Sequence, residues 1–355
     1  MRAALTKDNT MIVTEVPAPV PLDGQVLVRT LACGICGSDL HALSDPEAFM
    51  ETTRRSGGTP YDPRDGLVFG HEFAAEIVEY GPNTQRALPV GTAVCGPPIG
   101  IGPQGAGIIG YAPMFPGGYG EYMILNEGLV MAVPDGLDPK VAALTEPFSV
   151  AARAVDRSGI GPDDVAVVLG LGPIGLGVVA NLKARGHGPV LAVDFSPGRR
   201  ALAEGLGADE LIDPAVSSPY GRWADLGVPV GTVDRIAAEL LGTGGRGSVV
   251  FECVGVPGVL QQAIEGAPAG GTIMVVGVCM QSDRIEPGVA ATKELTLRGT
   301  FGAYPAEYGA TLHAIAEGRI DAGSIITGTV GLEGVAGAFA DLGRPDEHAK
   351  IVVVP

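Results

Sequence analysis

Residues 165–175 read Val165-Ala-Val-Val-Leu-Gly-Leu-Gly-Pro-Ile-Gly175, and Asp194 follows 24 positions after Gly170. The first five residues are apolar and predict a buried strand. The glycines that follow match G-x-G-x-x-G where a helical pattern begins, and Asp194 ends the next predicted strand. Strand, glycine turn, helix, strand and acid in this order indicate the first part of a dinucleotide-binding fold.

Each position of this turn has a physical task in holding a dinucleotide. Gly170 allows a tight turn, Gly172 lets the backbone approach a pyrophosphate, and Gly175 lets helix and strand pack closely. The helix that opens at Pro173 and Ile174 presents free N–H groups and the positive end of its dipole to the phosphates. We therefore predict that these five residues bind the cofactor.

Asp194 predicts which dinucleotide binds. Its carboxylate would accept hydrogen bonds from the adenine ribose hydroxyls and repel a 2′-phosphate, so NAD is favoured over NADP. Arg199, which we also expect at the cofactor, and Arg200 follow closely and would soften that preference. The alternative is a glycine-rich turn of another α/β protein, with Asp194 as a cap.

The pattern around this turn predicts an α/β protein with a doubly wound parallel sheet, because strands alternate with helices from about residue 147 onward. Residues 214–232 read as a loop, and residues 1–150 contain short β-rich runs typical of an antiparallel domain. The predicted strands of the parallel sheet are Val165–Leu169, Val190–Asp194, Glu210–Ile212, Val249–Val254, Thr272–Val278 and Leu295–Gly299. The predicted helices between them are Ile174–Arg185, Gly198–Leu206, Val233–Leu241 and Val259–Ala267.

Composition excludes several classes of protein. The chain has 355 residues, with 23 Lys and Arg against 40 Asp and Glu and a net charge of −17, so it would repel nucleic acid and anionic membranes. The apolar run Val165–Ala180 is short for a membrane span and is broken by glycines and a proline. Five cysteines, an odd number in a long chain, are not typical of a secreted disulfide framework. We predict a cytoplasmic protein.

A second pattern predicts a metal site: Cys33-Gly-Ile-Cys36-Gly-Ser-Asp-Leu-His41, followed by Gly70-His71-Glu72. Taken alone, the C-x-x-C could be a redox pair or half of a zinc knuckle. No second C-x-x-C completes a knuckle, and the pair lies in the β-rich part rather than in a βαβ unit. A zinc site with mixed thiolate, imidazole and carboxylate ligands explains the pattern more economically.

With Glu146-Pro147 and the glycine turn, these motifs resemble those of zinc-dependent medium-chain alcohol dehydrogenases (the MDR superfamily), in the sorbitol/threonine dehydrogenase-like branch. The matches follow the family's order along almost the whole chain. The resemblance implies a β-rich GroES-like catalytic domain from residues 1–150 and 300–355. It also implies a six-stranded NAD-binding Rossmann domain from residues 151–299. The implied reaction transfers a hydride between an alcohol and NAD.

The resemblance also implies the metal ligands. Cys36 and His71 would bind the catalytic zinc. Glu72 and Glu146 occupy the positions from which the family draws the remaining carboxylate ligand, and the third ligand stays open between them. Glu72 is expected among the catalytic residues as well. The zinc would act as a Lewis acid on the alcohol oxygen.

Ser38 and His41 receive roles only through the resemblance. Ser38 would take the proton of the substrate hydroxyl, and His41 would pass it outward through the nicotinamide ribose. Taken alone, Ser38 reads as a turn residue and His41 as a surface or capping histidine. Their spacing after Cys36 is what favours the catalytic roles.

Two departures from the family pattern carry predictions. The segment Gly96–Gly120, where many members hold a structural zinc on four cysteines, contains no cysteine and reads as a long loop, so we predict one zinc per chain. Polyol-oxidising members carry an arginine and a tyrosine after the last nucleotide-domain strand, whereas here the stretch is Thr300-Phe-Gly-Ala-Tyr304. We therefore expect an apolar or aromatic secondary alcohol, or its ketone. The side chains expected to line its pocket are Ile99, Ile101, Ile108, Ile109, Tyr111, Met114 and Phe115.

Other functions stay open. A sorbitol-type or threonine-type dehydrogenase would keep the same zinc ligands. A zinc-free quinone or enoyl reductase would need none of them, and a non-catalytic nucleotide-binding protein would have lost them. Loss of catalysis with retained nucleotide binding in a Cys36→Ser variant would separate these cases. The resemblance further suggests a homodimer or homotetramer.

Overall fold

The computed structural model describes residues 1–355 and divides the chain into two compact units. The first unit combines Met1–Pro147 with Ala303–Pro355, and the second consists of Phe148–Gly302. None of the helices combines the length and the apolar character needed to cross a bilayer.

Strands and helices follow one another in this order along the chain. The strands are β1 (Arg2–Lys7), β2 (Thr10–Glu15), β3 (Gln25–Gly34), β4 (Glu72–Tyr80), β5 (Ala93–Cys95), β6 (Ile99–Gly102), β7 (Gly105–Ile108), β8 (Tyr122–Asn126), β9 (Met131–Ala132), β10 (Val165–Leu169), β11 (Val190–Val193), β12 (Glu210–Ile212), β13 (Ser248–Glu252), β14 (Thr272–Val275), β15 (Thr296–Gly299), β16 (Ile326–Val330) and β17 (Lys350–Val353). The helices are α1 (Gly37–Ser44), α2 (Pro46–Arg55), α3 (Pro139–Ala143), α4 (Thr145–Ser158), α5 (Pro173–Ala184), α6 (Pro197–Gly205), α7 (Thr232–Leu240), α8 (Val259–Gly266), α9 (Pro287–Thr292), α10 (Pro305–Ala316) and α11 (Val335–Asp341).

The second unit contains a six-stranded sheet in the order β12-β11-β10-β13-β14-β15, with every neighbouring pair parallel. Its central strands β10 and β13 are buried along their whole length, as the apolar runs predict. The predicted doubly wound parallel sheet is therefore confirmed. Most of the predicted element boundaries differ from the observed ones by one to three residues.

The first unit contains a seven-stranded sheet in which β3 is the organising strand. β3 pairs antiparallel with β4, β8 and β17, and β16 lies beyond β17. Because β17 comes from the end of the chain, the two terminal parts of the sequence share one sheet. The β-rich domain predicted for the first part of the chain is confirmed.

Two segments that read as loops contain regular structure. Within Gly96–Gly120, β6 and β7 form a hairpin folded over the buried ring of Phe115. This ring occupies the space that a Cβ at position 100 would need, so only glycine fits there. Within residues 214–232, a 3₁₀ turn at Pro219–Arg222 leads into Trp223. The indole of Trp223 is buried in the core of the second unit and donates to the carbonyl oxygen of Gly266 at 2.9 Å. The loop prediction was wrong for Gly96–Gly120, where glycines that often mark turns instead allow close packing in a hairpin. Residues 214–232 contain only this short 3₁₀ turn before α7 begins at Thr232, so the loop prediction is confirmed there.

Candidate metal centre and nucleotide turn

Sheet pairing brings the two halves of the predicted metal motif together. Cys36 is the N-cap of α1, two residues beyond the end of β3; Glu72 is the first residue of β4, and His71 immediately precedes it. The β3–β4 register pairs Gly34 with Glu72. One potential ligand atom from each of Cys36, His71 and Glu72 lies within 4.8 Å of the other two. We call these three residues the donor cluster.

The chemistry of the donor cluster fits zinc. A thiolate, an imidazole and a carboxylate are three of the ligand types that zinc uses, and three protein ligands leave a position for substrate. His71 is buried, and its Nδ1 faces the Asp39 carboxylate at 3.5 Å, so Nε2 is the nitrogen available to a metal. Gly34 makes room for the cluster, because a Cβ at that position would lie 2.0 Å from Oε2 of Glu72.

Glu72 is also half of a buried ion pair that the sequence did not reveal. The ammonium group of Lys350, at the start of β17, donates to both carboxylate oxygens of Glu72 at 2.8 and 2.7 Å and to the carbonyl of Ile35 at 2.7 Å. Both side chains are buried. Burial alone would lower the pKa of Lys350, but the charge of Glu72 outweighs it and raises that pKa. Lys350 therefore neutralises Glu72 and fixes its orientation.

Asp39 is the second supporting residue that sequence reasoning missed. Its buried carboxylate accepts hydrogen bonds from the hydroxyls of Tyr111 at 2.8 Å and Tyr119 at 2.7 Å and from the backbone N–H of Cys36 at 3.2 Å. Burial would raise the pKa of Asp39, but the facing His71 and the tyrosine hydroxyls lower it overall. The available signal was its place three residues after Cys36, the spacing of a capping box.

Glu146 lies in the first turn of α4 and is nine-tenths buried, outside the three-residue cluster. Burial raises the pKa of its carboxyl group to about 7, and the charges of His71 and Glu72 act on it as well. A buried carboxyl group that interacts electrostatically with these two residues is a candidate for the alternative carboxylate ligand.

Ser38 and His41 both lie on α1, but they differ in their contacts and in their exposure to solvent. The hydroxyl of Ser38 lies 3.1 Å from the Cys36 sulfur and 2.8 Å from the hydroxyl of Tyr111. His41 is exposed one turn further along, and no hydrogen bond joins its imidazole to Ser38. Ser38 is therefore part of the centre, whereas His41 lies on the solvent side of the helix.

The residues expected to line an apolar pocket are scattered. Ile99, Ile101 and Ile108 are exposed on the β6–β7 hairpin. Ile109 is buried in the core, and Met114 and Phe115 line a groove that contains none of the donor cluster. Only the ring of Tyr111 packs on the donor cluster, with its centroid 5.2 Å from that of His71. As a description of one pocket, the predicted lining was wrong, since the alternation of β6 and β7 turns their isoleucines outward.

Around Tyr111, two further rings form an apolar wall that the sequence did not predict. Phe49 on α2 and Phe69 just before β4 place their ring centroids 5.0 and 5.4 Å from that of Tyr111. Both side chains are buried. Aromatic groups of the first unit therefore stand next to the donor cluster.

In the second unit, the glycine turn has the geometry that its sequence requires. Gly170 has φ +82°, a left-handed conformation that glycine adopts without strain. A Cβ on Gly175 would lie 1.8 Å from the carbonyl oxygen of Gly170, so only glycine allows α5 to start so close to β10. Gly172 is the N-cap of α5, Pro173 and Ile174 form its first turn, and no atom lies within 4 Å of a Cβ built at Gly172. The turn is open on that side.

Asp194 closes this turn from the end of β11. Its Oδ2 accepts from the N–H of Leu171 at 2.7 Å, and its Oδ1 accepts from the N–H of Ser196 at 2.8 Å. Each carboxylate oxygen can accept a further hydrogen bond. Nearby, Arg200 donates to the carbonyl of Asp194 at 2.6 Å, whereas Nε of Arg199 is buried without a partner. We call Gly170–Gly175 together with Asp194 the nucleotide turn.

Comparison with known proteins places the units that hold the donor cluster and the nucleotide turn in one enzyme family. Residues 22–135 match the alcohol dehydrogenase GroES-like domain, and residues 173–317 match the zinc-binding dehydrogenase family. The chain is 33% identical to the (R,R)-butanediol dehydrogenase of Bacillus subtilis over 97% of this chain and 96% of that enzyme. It is 28% identical to the sorbitol dehydrogenase of the same organism over 100% and 97%. A crystal structure of 2R,3R-butanediol dehydrogenase from Bacillus subtilis superposes with a TM-score of 0.81 at 30% identity, covering 100% of this chain and 99% of that one.

Proposed function

This chain belongs to the zinc-binding alcohol dehydrogenases of the medium-chain superfamily, in the sorbitol/threonine-like branch, and from that premise we propose the details of its reaction. It is an oxidoreductase that acts on CH–OH groups. We propose that it oxidises secondary alcohols with apolar substituents, or reduces the matching ketones, with NAD and one catalytic zinc per chain. The donor cluster beside an aromatic wall is the observation that carries this proposal.

The donor cluster and Glu146 supply the zinc ligands in this proposal. Cys36 and His71 would hold the ion, and Glu72 or Glu146 would complete the set. Held there, zinc would supply Lewis-acid polarisation of the substrate oxygen, and bound NAD would supply the hydride acceptor. Asp39 orients His71 through Nδ1, which fixes the tautomer and direction of the ligand nitrogen.

Ser38 receives the proton of the alcohol, because its hydroxyl is half-buried and lies at hydrogen-bond distance from the Cys36 sulfur. No hydrogen bond joins His41 to Ser38, so the proton would reach His41 by way of the nicotinamide ribose, and His41 would release it to solvent from its exposed position at the next turn of α1. The rings of Tyr111, Phe49 and Phe69 exclude water from this side and favour an apolar substituent.

The nucleotide turn binds the cofactor. The N-terminus of α5, with Pro173 and Ile174, would hold the pyrophosphate on the open side of Gly172. Asp194 would accept hydrogen bonds from the ribose hydroxyls, which would select NAD over NADP. The unpartnered Nε of Arg199 supports its assignment to the cofactor site.

One zinc per chain is supported by the β6–β7 hairpin, which has no cysteine and is closed over Phe115. We also propose a cytoplasmic homodimer or homotetramer. The edge strand β15 is exposed at all four of its residues, and such an edge favours pairing with another chain. Light scattering on the purified protein tests the assembly, and a monomer at micromolar concentration would contradict it.

The experiment that tests the proposed reaction is NAD reduction with (R,R)-2,3-butanediol, 1-phenylethanol, sorbitol and threonine, with and without a zinc chelator, and with NADP in parallel. We expect the first two alcohols to be oxidised faster than the others and the chelator to abolish turnover. Faster oxidation of sorbitol would favour the polyol reaction, the second candidate, which the 28% identity to a sorbitol dehydrogenase supports. Turnover that survives prolonged chelation would contradict the zinc mechanism.

A further inference from the structure

Tyr111 is held firmly in the centre although no motif marks it. Its ring is packed between Phe49, Phe69 and His71, with centroid distances of 5.0, 5.4 and 5.2 Å. The first two contacts are edge-on, a favoured arrangement of aromatic rings. A ring fixed on three sides leaves its hydroxyl group little freedom to move.

The hydroxyl of Tyr111 joins two groups of the centre. Its oxygen lies 2.8 Å from Oγ of Ser38 and 2.8 Å from Oδ1 of Asp39. Asp39 accepts from several other donors, whereas Ser38 has only the Cys36 sulfur, at 3.1 Å, as a second partner. A phenol has one hydrogen, so Tyr111 donates it to the Asp39 carboxylate and accepts the hydrogen of Ser38, which leaves a lone pair of the serine oxygen free.

These contacts decide what holds Ser38. Without Tyr111, the serine hydroxyl would have only the sulfur of Cys36 within hydrogen-bond distance, and that sulfur is a proposed zinc ligand. Directed at the sulfur, the serine hydroxyl is turned toward a proposed metal ligand rather than held by a fixed partner. With Tyr111 in place, the oxygen of Ser38 is anchored through Tyr111 to Asp39, which the capping hydrogen bond ties to the start of α1.

We propose that Tyr111 is a positioning residue for proton transfer: its hydroxyl, anchored on Asp39, holds Ser38 where a lone pair of the serine oxygen can accept the proton of the alcohol, while the serine releases its own hydrogen toward solvent as its hydrogen bond to Tyr111 opens. This inference rests on the proposed role of Ser38 and extends it to a residue outside the zinc and nucleotide motifs. Tyr111 itself neither binds the metal nor changes its protonation state. Its contribution is therefore visible only while Ser38 is present.

A double-mutant cycle on the zinc-loaded enzyme, with (R,R)-2,3-butanediol and NAD, tests the proposal. The Tyr111→Phe variant keeps the ring and removes the hydroxyl. We expect kcat to fall about tenfold with KM changed less than twofold, and the solvent deuterium isotope effect on kcat to increase, because a positioned acid–base group contributes about 10²–10⁴-fold. In a Ser38→Ala background, Tyr111→Phe should lower kcat less than twofold further.

Tyr119→Phe is the matched control, because it removes the other tyrosine hydroxyl from Asp39 and does not contact Ser38. Its effect on kcat should be equal with serine or alanine at position 38. The proposal is overturned if the effects of Tyr111→Phe and Ser38→Ala multiply independently, or if Tyr119→Phe shows the same coupling to Ser38. Full activity of Ser38→Ala would instead overturn the proposed role of Ser38, so the two failures are distinguishable.

A readout that does not need turnover is the crystal structure of the Tyr111→Phe variant. We expect Ser38 to leave its present rotamer, with its hydroxyl turned toward the Cys36 sulfur or disordered. A serine hydroxyl that keeps its position within the error of the coordinates would overturn the proposal.

Discussion

The nucleotide turn and the donor cluster are built in opposite ways. The nucleotide turn lies within 25 consecutive residues, and its geometry follows from local requirements such as φ +82° at Gly170. The donor cluster joins two motifs across the β3–β4 pair, and its supporting partners come from Tyr111, Tyr119 and Lys350. The nucleotide turn can therefore be altered without affecting the rest of the second unit. The donor cluster, in contrast, depends on residues from several separate parts of the first unit.

The largest expected effect is a loss of catalysis that leaves nucleotide binding intact. Replacing Cys36 by serine removes the proposed thiolate ligand, and we expect kcat to fall at least about 10³-fold because metal polarisation supplies several kcal/mol to the transition state. The dissociation constant for NADH, measured by fluorescence titration, should change less than twofold.

The matched control is Cys33→Ala, which alters the other cysteine of the pair. Cys33 is buried on β3 and lies outside the donor cluster, so this variant should keep its zinc and its turnover. Equal losses in the two variants would contradict the assignment of the ligand.

The next prediction tests how far the donor cluster depends on a residue that is distant in sequence. Lys350→Met leaves the buried Glu72 carboxylate without its partner, which should lower the free energy of unfolding by about 3–5 kcal/mol. Urea denaturation in the presence of a chelator measures this loss without help from a bound metal. The double variant Glu72→Gln/Lys350→Met removes the unpaired charge and should recover part of it. A loss below about 1 kcal/mol, the range of exposed ion pairs, would show that the pair is not structurally important.

A smaller effect tests the local region. In Gly175→Ala, the new methyl group meets the carbonyl oxygen of Gly170, so the turn must open. Overpacking of this kind costs about 1–3 kcal/mol, and we expect a corresponding weakening of NADH binding by about 5- to 150-fold. Zinc content should be unchanged, because the donor cluster lies in the other unit. Gly205→Ala on α6, where a Cβ meets no atom within 4 Å, is the control, and equal weakening there would refute the steric explanation.

The smallest effect concerns the choice of cofactor. Asp194→Asn removes the charge but keeps an acceptor for the N–H of Leu171. We expect kcat/KM for NADP to rise about tenfold relative to NAD, since about 1.4 kcal/mol of repulsion is relieved. Asp213→Asn, the carboxylate that pairs with Arg200 at 3.3 Å, should leave the ratio within twofold. An unchanged preference in Asp194→Asn would mean that another group excludes the 2′-phosphate.

The local and the assembled region also differ in how much of their structure the sequence predicts. The parallel sheet and the nucleotide turn were predictable, because apolar runs and glycine spacing report local structure. Cys36 and His71 were found through short motifs, and their proximity is a consequence of sheet pairing. Lys350, Asp39 and Tyr111 were missed as partners, because a lysine in a terminal strand or a tyrosine in a glycine-rich segment carries no local signal of what it contacts. The β6–β7 hairpin was missed for a related reason, since four-residue strands rich in glycine resemble loops.

We expect this chain to hold a single zinc ion on ligands of its first unit and no second, structural ion. Elemental analysis of the purified protein by mass spectrometry tests it directly, with Cys36→Ser measured beside the wild type. We expect one zinc per chain in the wild type and a loss of that zinc in the variant. Two zinc ions per chain, or one that remains after Cys36 is replaced, would contradict it.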